Sequence, residues 1–134
     1  MKRRRTRAQH QLGPAVGCGV DVVEISRFRL AMRRGGRAFM RRVFTPAEES
    51  YANARPRTAA LHLAGRFAAK EAVIKALSQL GASRLPTMRQ VEIRNDRLGR
   101  PRAVLHAPPA RGVRVHISLS HVNTVAVASA IALK

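Results

Sequence analysis

The chain has 134 residues, 46% of them hydrophobic, and a single cysteine. These values point to one domain with a modest core and exclude an intrachain disulfide framework and a multi-cysteine zinc site. Its 26 basic residues against seven acids give a formal net charge of +19, which favours acidic partners or polyanions and fast, salt-sensitive association. No apolar run reaches the roughly 18 residues of a membrane span. The basic start M-K-R-R-R-T-R leads into A-Q-H-Q-L-G-P, not an apolar segment, so neither a signal peptide nor a transmembrane helix is expected, and a reduced, cytoplasmic setting is.

Residues 1–15 carry five basic residues and no acid and read as a disordered arm, leaving 16–134 as the domain. Val16–Ile25 is rich in β-branched residues and reads as a first strand. Cys18 sits in its apolar run and is expected in the core. Asp21 interrupts that run, and an acid there must face solvent, a partner or a cation. Ser26 is placed to cap a helix over Arg27–Arg34 that Gly35-Gly36 breaks, with a helical or turn pattern resuming over Arg37–Phe44. Seven arginines fall between Arg27 and Arg42 without an acid, interleaved with Phe28, Leu30, Met32, Phe39 and Met40. That surface suits an acidic helical partner and equally a nucleic-acid backbone.

T-P-A-E-E at 45–49 combines a capping Thr45, a first-turn Pro46 and the acids Glu48 and Glu49 at the positive end of a helix dipole. A long core helix follows over about Thr58–Leu80, stopped by Gly81. Leu63, Phe67, Ile74 and Leu77 mark its apolar stripe. Met88–Asn95 and Arg102–His106 flank the turn D-R-L-G-R-P. Val113–Leu119 alternates cleanly and pairs as a hairpin with Asn123–Leu133, and Pro108-Pro109 separates the two β pairs. The class is α+β: one N-terminal strand, helices including a long core helix, then two hairpins in an antiparallel-rich sheet, all in a compact single domain.

Three groups of residues can carry chemistry. Only four of the basic residues are lysines, and two of these, Lys70 and Lys75, bracket Glu71 in R-F-A-A-K-E-A-V-I-K at 66–75. Lysine is a compact point charge suited to phosphate oxygens. Glu71 and Lys75 are spaced i, i+4, which is equally the spacing of a surface ion pair. Arg66 and Lys70 are a like-charged i, i+4 pair, easier to explain with an anion between them. Asp21 and Glu71 could supply the one or two carboxylates that Mg²⁺ takes alongside phosphate oxygens, although Asp21 also fits an edge-strand acid. S-L-S-H at 118–121 offers Ser118 and Ser120 on one strand face and a terminal His121. Neither a P-loop nor a complete G-x-G-x-x-G is present, and a nucleic-acid module lacks a recognisable motif or stacking aromatics.

Taken together, G-V-D-V-V-E-I-S-R-F at 19–28, R-F-A-A-K-E-A-V-I-K-A at 66–76 and S-L-S-H resemble the motifs of the holo-acyl-carrier-protein synthases, the short-chain 4′-phosphopantetheinyl transferases. F-T-P-A-E-E at 44–49 and I-R-N-D-R-L-G-R-P at 93–101 fit the same pattern, so the resemblance spans about residues 16–133. It implies transfer of phosphopantetheine from coenzyme A to a serine of an apo acyl carrier protein. It also implies Mg²⁺ on Asp21 and Glu71, and Lys75 as the group that neutralises developing charge. Coenzyme A contacts are implied for Arg66, Lys70, Lys75, Gly99, Pro101, Ser120 and His121, and carrier-protein contacts for Arg27, Phe28 and Arg34. The family is typically a homotrimer with active sites between protomers, serving fatty acid or polyketide synthesis.

Overall fold

Alternation along the first strand sets the architecture. In β1 (Val16–Glu24) the odd-numbered residues turn inward and Val16, Cys18, Val20 and Val22 are exposed. Cys18 therefore lies on the outer face and not in the core as expected, because side chains in a strand change sides at every residue. The chain continues as α1 (Ile25–Val43), α2 (Pro46–Asn53), α3 (Ala59–Ser78), a 3₁₀ turn at Met88–Gln90, β2 (Val91–Asn95), β3 (Pro101–Leu105), β4 (Arg114–His121) and β5 (Val125–Leu133). The computed structural model describes residues 16–107 and 112–134. The basic arm and Pro108-Pro109 lie outside those residues. The class is the expected α+β.

β1, β5 and β4 form one antiparallel sheet in that order, and β2 with β3 a separate hairpin. Asp21 pairs with Ala128, and Ala128 with Leu119, across the three strands. The inner face of the sheet packs on α3. There β5 contributes Ala126, Ala128, Ala130 and Ala132, all buried. Helix α3 is buried nearly all round, and Ala64, Ala68, Ala69, Ala72 and Ala76 are fully enclosed. The expected apolar stripe does pack in the core, Leu63 and Leu77 buried and Phe67 and Ile74 partly buried against it, and the alanines extend the buried surface round the rest of the helix.

Small residues here serve proximity. A Cβ on Gly19 would meet the Ala72 carbonyl oxygen at 2.1 Å, and one on Gly17 the Ala76 oxygen at 2.0 Å. The two glycines let the α3 backbone lie directly against β1, which brings Asp21 beside the helix. We expect Gly19→Ala to cost about 2 kcal/mol through overpacking, read as a lowered thermal midpoint.

Helix boundaries follow local bonds. α1 begins at Ile25, whose amide donates to the Thr124 carbonyl at 2.9 Å, so Ser26 is inside the helix and caps nothing. The expected break at Gly35-Gly36 is present: α1 is two helical segments meeting at a kink, with Gly36 at a non-helical φ of 54° that glycine adopts without penalty. Thr45 and Glu48 form a reciprocal capping box. A second box between Thr87 and Gln90 makes the 3₁₀ turn, which delays β2 to Val91. Phe28, Phe39, Phe44 and Phe67 cluster where α1 meets α3, with Phe28 ring centroids 5.7–6.3 Å from the other three.

Candidate active site

Asp21 and Glu71 come from remote segments and line one cavity of about 620 Å³, together with Glu24, Arg27, Phe39 and Phe67. Asp21 is held by Lys75, whose ammonium donates to its Oδ1 at 3.0 Å and to the Val20 carbonyl at 2.9 Å. The i, i+4 pairing of Lys75 with Glu71 is therefore replaced by a pairing across to β1. Among the described residues Glu71 has no ion-pair partner. No three His, Cys, Asp or Glu side chains among them converge into a self-sufficient metal cage. Two carboxylates on one cavity nevertheless fit Mg²⁺, which keeps waters and takes its other ligands from phosphate.

The arginines of α1 are on its exposed face: Arg27, Arg29, Arg33, Arg34, Arg37, Arg41 and Arg42 are all solvent-facing. Arg27 joins this basic surface to the cavity. Phe28 lines the same cavity from beneath. It is 4% exposed and its ring packs in the aromatic cluster, so it supports α1 and offers little surface to a partner.

Lys70 is a second correction. It is fully buried, and its ammonium donates to Glu48 Oε2 at 2.7 Å, the Val43 carbonyl at 2.7 Å and the Met88 carbonyl at 3.1 Å. All three protons are used, so none is left for a coenzyme phosphate. Burial pushes the Lys70 amine below its ordinary value, and the Glu48 carboxylate beside it opposes that shift.

Arg66 sits on another flank of α3. Its side chain is 5% exposed and donates to Asn95 Oδ1 at 3.2 Å. Its guanidinium lies 4.1 Å from the Tyr51 ring centroid, with Arg55 3.8 Å from the same ring. His62 packs on Tyr51 and faces His121. Asn95 also reaches the carbonyl of Gly99, linking this cluster to the β2–β3 turn, where Asp96 accepts from Leu98 and Arg100 and is held down at about 2. Pro101 lines a cavity of about 300 Å³ against β4, with Arg100, Arg102, His116 and Ser118. Ser120 and His121 are adjacent in sequence but point to opposite faces of the sheet, so only His121 joins Arg66. Tyr51, Arg55, His62 and Asn95 were not singled out from the sequence. The i, i+4 spacing of His62 and Arg66 was the one available signal.

A 4′-phosphopantetheinyl transferase superfamily model matches residues 17–130. The chain belongs to this family. Proteins named holo-[acyl-carrier-protein] synthase are similar to it: one from Chlorobaculum parvum is 46% identical over 113 residues, covering 84% of this chain and 94% of that protein. One from Moorella thermoacetica is 43% identical over 119 residues, covering 84% and 90%. The fold matches a Chronobacterium ammoniagenes ACPS–CoA complex at TM-score 0.77 and 34% identity, over 90% of this chain and 98% of the other. It also matches a Bacillus anthracis holo-(acyl-carrier-protein) synthase in complex with CoA (3′,5′-ADP) at TM-score 0.72 and 30% identity, over 88% and 96%. Among the described residues of this transferase family member, no helix is long and apolar enough to cross a membrane.

Proposed function

We propose that the chain transfers 4′-phosphopantetheine from coenzyme A to a serine hydroxyl of an apo acyl carrier protein in the cytoplasm, for fatty acid or polyketide synthesis, with Mg²⁺ and release of adenosine 3′,5′-bisphosphate. The observation that carries this reading is the cavity shared by Asp21 and Glu71 beside Lys75 and Arg27. Its chemistry suits a diphosphate: the two carboxylates would hold the metal, which neutralises the phosphate oxygens when bound. The serine oxygen forms a bond to the β-phosphorus as the bond from that phosphorus to the bridging oxygen breaks, the bridging oxygen leaving on adenosine 3′,5′-bisphosphate and the hydroxyl proton passing to solvent water. Such transfer is mostly positioning and charge neutralisation. Lys75, half-exposed and fixed against Asp21, supplies a cation beside the developing charge. The test is incubation with coenzyme A, Mg²⁺ and an apo carrier protein. The expected result is the mass gain of one phosphopantetheine, and no gain on any of several carrier proteins refutes the reading.

Carrier proteins of this kind are acidic, and the arginine face of α1 beside the cavity is complementary to them. Arg27→Ala should raise the KM for carrier protein about tenfold and flatten its salt dependence, with coenzyme A affinity nearly unchanged. An unaltered KM moves the docking surface off α1.

The second partner is further copies of the chain. On the outer sheet face Val16, Val20, Val22, Val127 and Ile131 are 36–63% exposed, a set of apolar side chains that assembly would cover. The carboxylate cavity and the Arg66 cluster lie on different flanks of one α3, as expected if one coenzyme A bridges two protomers of a homotrimer. Light scattering should give three times 14.7 kDa, and a monomer at that protein concentration excludes the trimer.

A further inference from the structure

The cluster around Arg66 is more heavily cationic than the motif residues alone require. Tyr51 is sandwiched by Arg55 and Arg66, whose guanidinium carbons lie 3.8 and 4.1 Å from its ring centroid. The His62 ring stands at 89° to Tyr51 with centroids 5.3 Å apart, and 6.3 Å from that of His121. Two arginines and two histidines therefore meet from α2's end, α3 and β4. Burial works against the charged Arg66, and the groups that favour it are Tyr51 and then Glu48; the one carboxylate of these, Glu48, is already committed to Lys70 at 2.7 Å. Arg66 is 95% removed from solvent, yet among the described residues its Nε has no hydrogen-bond partner. A buried guanidinium with an unmet donor is costly, and so many cations gathered without a free acid among the described residues repel one another. Both costs fall when an anion arrives.

The chemistry of coenzyme A indicates which anion. Its diphosphate oxygens carry single charges and suit the carboxylate–metal cavity. Its one phosphomonoester, on the ribose, is close to a dianion at neutral pH, with a second pKa of about 6. An acid-free cluster of cations suits that group.

We propose, resting on the coenzyme A reading above, that His62 is a contact residue for this phosphomonoester and takes up a proton as the phosphate binds. In the free chain, burial and then the neighbouring Arg66, Arg55 and His121 hold the His62 imidazole below its ordinary value, so it is neutral at pH 7. Tyr51 is the remaining titratable group against its ring. A dianion set among these groups reverses the local field, and the imidazolium becomes the favoured form. His62 thereby makes recognition of the monoester strengthen as pH falls, over and above what Arg66 and His121 supply.

The test compares coenzyme A with dephospho-coenzyme A, which lacks the monoester, by calorimetry with Mg²⁺ from pH 6 to pH 8 in two buffers of different ionisation enthalpy. His62→Gln should weaken coenzyme A binding about tenfold at pH 6, far less at pH 8, leave dephospho-coenzyme A unchanged, and bind fewer protons on complex formation than the wild type. His62→Lys, carrying a fixed charge, should keep tight binding at pH 8 and lose the strengthening of binding toward low pH that His62 supplies, leaving only the titration of the ligand's own phosphate. Unchanged affinity and proton count in His62→Gln overturn the proposal, as does equal weakening toward both ligands, which marks a structural role. Failure of the wild type to bind coenzyme A at all overturns the coenzyme A reading itself, and this proposal with it.

Discussion

Replacing Asp21 by Asn, or Glu71 by Gln, is expected to lower the rate of phosphopantetheine transfer by about a hundred- to a thousandfold, the usual loss when one fixed charge-stabilising group is removed from a transition state. The fold should survive. The ion pair of Asp21 with Lys75 involves an ammonium that is 51% exposed, and pairs of that kind contribute about 0–1 kcal/mol. Glu71 pairs with no described cation, so its loss removes no ion pair. If both carboxylates hold one Mg²⁺, the double variant should be little worse than either single one, because groups that act as a unit are not additive. Raising the Mg²⁺ concentration should partly rescue each single variant. Transfer measured by carrier-protein mass, with thermal unfolding in parallel, reads all of this. Retained activity in both single variants refutes the ligand assignment, and loss of activity in step with loss of folding assigns the two acids to structure.

Whether such residues can be recognised from sequence depends on how local their interactions are. T-P-A-E-E was legible as a helix start because the whole capping box lies within four residues, and the structure forms it between Thr45 and Glu48. The two hairpins were legible from alternation and turn residues, and β2–β3 and β4–β5 pair as expected. The pairing of Asp21 with Lys75 was not, because it depends on how closely α3 approaches β1. Gly17 and Gly19 set that approach, and a glycine's need for empty space beside it is invisible in one sequence. Cys18 misled for a related reason, since an apolar strand reads as core whichever face is covered. The Arg66 cluster collects residues from α2, α3, β2 and β4, and nothing in the spacing of Tyr51, Asn95 and His121 announces that they meet.

Lys70 is where the chain-local reading failed most, and it carries the largest stability prediction. Beside Glu71 in sequence, it looked like a phosphate ligand. In the fold it is enclosed, and its ammonium joins Glu48 to the carbonyls of Val43 and Met88. Glu48 in turn accepts from the Ile93 amide at 2.7 Å and the Thr45 amide at 2.9 Å. One buried pair therefore ties α3 to the end of α1, the start of α2, the 3₁₀ turn and β2. Lys70→Met removes the cation and leaves a buried carboxylate and two carbonyls without their donor, which costs about 3–5 kcal/mol. At fixed protein concentration the thermal midpoint should fall by roughly 10–20 °C. A buried ion pair is less costly to replace than to break, so adding Glu48→Gln to Lys70→Met should restore part of the loss, even though Glu48→Gln alone destabilises. The KM for coenzyme A should stay within about twofold for the folded fraction, since this side chain has no proton left to offer a phosphate. A Lys70→Met protein with an unchanged midpoint and a tenfold higher KM for coenzyme A would return Lys70 to the substrate and make Glu48 a capping residue only.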